Sequence, residues 1–232
     1  GGRRNCCVPV CSCRSRLRRN VPDKKEPAME ISYRQEVLRK LVHLSSLWMT
    51  AAIYFLHPID AAILFSVLLA VNITVEYGFH KGWPVCRAIY GRFFGKMLRD
   101  GENASEFHLS GAPYVLMAAL DVVVIFPKLI AMISLSVMLI GDTAAALFGR
   151  KFGRHKINGG RKSVEGAAAF FVASTVVLVF FIVLFDLPLR FFIAGVVGIF
   201  AAMLAEIYEK QLRLDDNFSI TLCVALALTA AL

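Results

Sequence analysis

"KLIAMISLSVMLIGDTAAALFGRKFGRHKI", residues 128–157, carries an apolar run into a bare carboxylate, Asp142, and then into the cations Arg150, Lys151, Arg154 and Lys156. A run this long and this apolar reads as a membrane crossing, which needs about 20 residues of helix. Asp142 ends that crossing on this reading. An acid in such a place is costly to keep and is a functional candidate by default. Ala144, Ala145 and Ala146 are small enough for close helix packing or ligand approach, and Gly149 and Gly153 mark places where the backbone can turn.

The rest of the chain agrees with a membrane reading. It has 232 residues, is 57% hydrophobic and has a mean hydropathy of +0.62. That is too apolar for an ordinary soluble domain. Apolar spans are read at 41–57, 59–77, 111–127, 128–148, 166–186, 189–206 and 218–232, with no internal repeat. The third and seventh are short. The sequence therefore predicts an all-α, polytopic membrane helix bundle with about seven transmembrane helices.

The net charge of +9 flanks the spans, so no nucleic-acid partner is expected. With the N-terminus in the cytoplasm, 24 of the 26 Lys and Arg fall on the cytoplasmic side. Only Lys128 and Arg190 fall opposite. This is a strong positive-inside pattern. Residues 1–28 include "CCVPVCSC", which is not a usual zinc-finger spacing, and no apolar core of a signal peptide is seen. They are expected to be a disordered, basic, Cys-rich tail, with palmitoylation beside the membrane as another reading. Residues 29–232 are expected to be a single membrane-embedded domain.

Four charged clusters sit at span ends on the cytoplasmic side. In "ISYRQEVLRKLVHLSS", Arg39 and His43 share a helical face beside Lys40; the plain alternative is a cationic anchor. In "MLRDGENASEFHLSGAPY", Arg99 and Glu106 stand just before the third span, where the plain alternative is a solvated loop. In the third cluster Asp142 is followed by Arg150, Lys156, Lys162, Ser163 and Glu165. An acid beside cations and glycines suits a Mg²⁺-bound polyphosphate: the acid holds the metal, the cations neutralise phosphate oxygens and backbone N–H groups fill gaps. In "LAEIYEKQLRLDDNFSITL", Asp215, Asp216 and Asn217 precede the last span, with Glu206 and Glu209 ending the one before. A helix N-cap explains one of the adjacent acids, metal binding both.

"GDTAAALFGRKFGRHKI" with "GGRKSVEGAAAFF" closely resembles the signature of CTP-dependent membrane lipid enzymes: dolichol kinase, phytol kinase, the yeast-type CTP-using diacylglycerol kinase and phosphatidate cytidylyltransferase. "LRKLVHLSS" and "LDDNFSIT" look like the kinase branch, and the closing block usual in the cytidylyltransferase branch is missing. The resemblance spans about residues 34–222. It implies a lipid kinase domain with a site for CTP and Mg²⁺ at the cytosolic membrane face, and a membrane lipid alcohol as the other partner. Asp142, Lys162, Glu165, Asp215 and Asp216 match catalytic positions, and Asp142, Asp215 and Asp216 are the metal candidates. Arg150, Lys156, Lys162, Ser163 and Asn217 are the nucleotide-binding candidates. Arg39, Lys40, His43, Arg99 and Glu106 are the candidates for substrate contact or for the base. The alternatives are a phosphatidate cytidylyltransferase and, further off, an ion- or proton-coupled transporter. No sequence feature speaks to oligomeric state.

Overall fold

The computed structural model of the chain describes residues 33–84, 86, 111–157, 162–209 and 215–232. Among these the chain forms eight helices: α1 Tyr33–Ser45, α2 Trp48–Phe55, α3 Pro58–His80, α4 Gly111–Ile125, α5 Lys128–Phe152, α6 Val164–Phe185, α7 Leu189–Ile207 and α8 Asp216–Thr229. The described residues form no strand beyond one isolated antiparallel bridge, Lys156 to Ser163. The all-α bundle expected from the sequence is the fold. Residues 1–28, Arg99 and Glu106 lie outside the described residues.

Proline shapes one end of the bundle. Pro58 opens α3, and Pro127 and Pro188 stand at the N-caps of α5 and α7. Its fixed φ suits a first helical turn, and its missing N–H forbids continuing the helix before it. These connections are two or three residues long. Asp186, at the end of α6, takes a left-handed conformation (φ 49°) that lets the chain reverse.

α3, α5, α6 and α7 are long and apolar enough to cross a membrane. α5 is the central post, packed by α1, α2, α4, α6 and α8. Ile130, Ile133, Leu135, Met138 and Leu139 on it are fully buried. The outer helices are apolar on the outside too: Val67 and Val71 on α3, Val176 and Val183 on α6, and Ile193 and Val197 on α7 are all exposed. A surface this apolar is unusual in water and matches a hydrocarbon surround. α4 and α8, with 15 and 14 residues, are the shorter apolar helices, at the two spans read as short from the sequence.

Two expected boundaries move. The span read at 41–57 is two helices, broken by a turn at Ser46–Leu47. The span read at 128–148 continues to Phe152, so Asp142 lies inside a helix rather than at its end. The residues after Asp142 are mostly strong helix formers, and only Gly153 stops them. Together α1 and α2 run antiparallel to α5. Glu36 faces Arg150, Lys40 faces Asp142, Thr50 meets Ser136, and Lys128 reaches the Leu56 carbonyl.

Candidate functional site

Among the described residues, charged side chains from three of the four clusters read from the sequence meet at the bundle end opposite the short proline turns. α1 supplies the first part. Its Glu36, Lys40 and His43 face α5, while Leu38, Leu41 and Val42 are exposed. This inverts the usual surface helix, with charge inward and hydrocarbon outward. Lys40 Nζ donates to Asp142 Oδ2, and both side chains are buried. His43 Nε2 lies 3.3 Å from the same oxygen and has no hydrogen bond. Arg39 donates to Glu36 at 2.6 Å, and Arg150 stands 3.7 Å from the other Glu36 oxygen.

A short backbone ribbon supplies the second part. Ile157 donates to the Lys162 carbonyl and Val164 to the His155 carbonyl, each at 3.0 Å. Ser163 then caps α6, its Oγ accepting from the Gly166 N–H at 3.2 Å. This local geometry turns Lys162 toward α7 and α8. Its Nζ donates to Glu206 at 2.8 Å and lies 3.6 Å from Glu209 and 3.8 Å from Asp216. Burial alone pulls the Lys162 ammonium toward a lower pKa, but the Glu206 and Asp216 carboxylates outweigh it and hold it above the ordinary lysine range.

The two parts interact. Asp142 feels the charge of Lys162, Asp216 that of Asp142, and Arg39 that of Asp216. The ion pairs join five carboxylates (Glu36, Asp142, Glu206, Glu209 and Asp216) to four cations (Arg39, Lys40, Arg150 and Lys162).

Adjacent acids play different parts. Asp215 caps α8, accepting from the Asn217 N–H at 3.0 Å and from its Nδ2 at 2.8 Å. Asp216 is the acid turned to Lys162. Asn217 is buried, and its Oδ1 has no partner. Glu165 holds the ribbon: its carboxylate accepts from the His155 backbone N–H and pairs with the His155 ring at 2.8 Å. Lys156 is exposed, and its backbone forms the antiparallel bridge to Ser163. So Arg39, Lys40, His43, Asp142, Arg150, Lys162 and Asp216 are brought together, Asp215 and Ser163 act as helix caps, Lys156 lies on the ribbon, and Glu165 holds the ribbon from the first turn of α6. Glu36 was not singled out from the sequence, although its place three residues before Arg39 puts the two on one helical face. Glu206 was noted only as a companion of Asp215 and Asp216. Its signal is a lone acid in the apolar stretch "AAMLAEIY".

The Mg²⁺ implied by the resemblance finds no ready-made cage. Among the described residues no three His, Cys, Asp or Glu side chains are grouped to hold a metal ion. Asp142 is engaged by Lys40, and Asp215 by the start of α8.

Uncharacterized protein RP860 of Rickettsia prowazekii (strain Madrid E) is 31% identical to this chain over 196 residues, which cover 84% of this chain and 93% of the relative. The chain belongs to the family of that protein. No family model matches the chain. No solved structure matches it.

Proposed function

We propose that the chain is a CTP-dependent lipid kinase, transferring the γ-phosphoryl group of CTP to the hydroxyl of a membrane lipid alcohol such as a polyprenol, phytol or diacylglycerol. The observation that carries the reading is the meeting of Lys40, Asp142, Lys162 and Asp216, from four separate segments, at one end of the bundle. Phosphoryl transfer is mostly positioning and charge stabilisation, and fixed cations among acids on rigid helices suit both.

In the proposed reaction the lipid hydroxyl oxygen bonds to the γ-phosphorus, the bond from that phosphorus to the β,γ-bridging oxygen breaks, and CDP leaves with the electron pair. Lys162 and Arg150 balance the charge on the moving group. His43 is the base candidate beside the cluster, since Glu165 is tied to His155. Mg²⁺ is assigned no protein-held site and no step. From Lys128 to Asp142, 14 residues of α5 (142 − 128) rise about 21 Å. That is less than the ~30 Å of hydrocarbon, so a lipid hydroxyl near the cytosolic boundary reaches the cluster sideways. The orientation in this reading puts the N-terminus and the cluster in or near the cytoplasm, with the proline turns opposite.

Among the described residues the ion-paired carboxylates outnumber the cations by five to four, which favours an acceptor without a phosphate of its own, hence a kinase over a cytidylyltransferase. Purified protein given a panel of lipid alcohols and CTP, labelled at either the γ-phosphate or the cytosine, tests this. Label from the γ-phosphate is expected in the lipid, with release of CDP. Cytosine label in the lipid, with pyrophosphate released, overturns the kinase reading.

A further inference from the structure

Glu206 is 4% exposed and lies in the last turn of α7. Both facts work against a carboxylate: burial strips its hydration, and the C-terminal end of a helix carries partial negative charge. What partly offsets them is Lys162, whose Nζ donates to Glu206 Oε1 at 2.8 Å. Glu209 and Asp216 lie farther from the same nitrogen, at 3.6 and 3.8 Å, and both are more exposed than Glu206. Lys162 itself keeps a third of its side chain open. An ammonium has three donors, and the Glu206 bond takes one. The lysine stem is flexible, so a free Lys162 would sample many rotamers.

We infer that Glu206 is a positioning residue that fixes the Lys162 ammonium at the junction of the ribbon, α7 and α8, leaving its other donors for an incoming phosphate. The inference rests on the kinase reading for its catalytic consequence, but the hold of Glu206 on Lys162 does not. Asp216 provides a further attraction, so Lys162 is drawn between a buried anchor on α7 and a more open acid at the start of α8. Glu209 is the outer and weaker partner.

The test uses the full chain in lipid nanodiscs. Glu206→Gln keeps the volume and removes the charge. It should cut kcat/KM for CTP by about ten-fold, the scale of one charge-assisted hydrogen bond, mainly through KM. Glu206→Asp should restore part of the loss, and Glu209→Gln should cost less. In a Lys162→Met background, Glu206→Gln should add nothing, whereas losses that multiply would overturn the proposal. A second readout needs no turnover: acylation by a small amine-reactive reagent, mapped by mass spectrometry. In the wild-type chain Lys162 should react several-fold more slowly than exposed Lys156, and in Glu206→Gln it should approach the Lys156 rate. Equal rates in the wild type overturn the anchoring, whether or not the variant folds. Slow labelling of Lys162 with no transfer to any lipid keeps the anchoring and rejects the kinase.

Discussion

At Asp142 the charge of a carboxylate is matched inside the protein by Lys40, with His43 beside them. Removing one member of a buried pair leaves the other uncompensated, a loss of about 3–5 kcal/mol. Asp142→Asn is therefore expected to abolish turnover and also to lower thermal stability in detergent. Lys40→Met added to Asp142→Asn should recover most of the stability and none of the turnover. Full recovery of turnover in the double variant would remove Asp142 from the chemistry. The sequence announces Asp142, because an acid inside an apolar run has few structural excuses. It does not announce its partner: Lys40 lies 102 residues away, and no local pattern carries such a pairing. Nor does it separate Asp215 from Asp216. Adjacent side chains leave a helix start in different directions, so one caps α8 and the other turns to Lys162.

Helices position these residues through close approach, and α5 against α6 is the tightest case. A Cβ on Gly166 would stand 2.9 Å from the Ala145 carbonyl oxygen and 3.1 Å from Gly149 Cα. Both neighbours are backbone and cannot rotate away. Gly166→Ala should force the two helices apart where Ser163 caps α6, costing about 1–3 kcal/mol. Thermal unfolding followed by size-exclusion chromatography measures this, and an unchanged midpoint would show that the crossing is looser than its geometry. The long apolar helices were legible because composition alone identifies them. The extension of α5 beyond residue 148 to Phe152 was not, since the cations Arg150 and Lys151 were read as an end although Arg and Lys favour helix. The break between α1 and α2 was not legible either, because "HLSSLW" contains neither Gly nor Pro.

The whole molecule is asymmetric from end to end. Short proline turns, with Lys128 and Arg190 close by, mark one end, and the charged cluster marks the other. The 24-to-2 division of cations predicts a cytoplasmic place for the cluster end, the side on which the proposed reaction needs its nucleotide donor. Lys156, exposed on the ribbon, and Leu187, in the turn between α6 and α7, report the two ends. In a chain whose own cysteines are replaced by serine, Lys156→Cys should escape a membrane-impermeant thiol reagent on intact cells and react after permeabilisation. Leu187→Cys should react on intact cells. This expected orientation rests on charge, independently of what the cluster does. Cells that label at 156 and stay dark at 187 would therefore put the cluster on the wrong side for cytosolic CTP and take the kinase reading with it, while leaving the bundle and its ion pairs as they are.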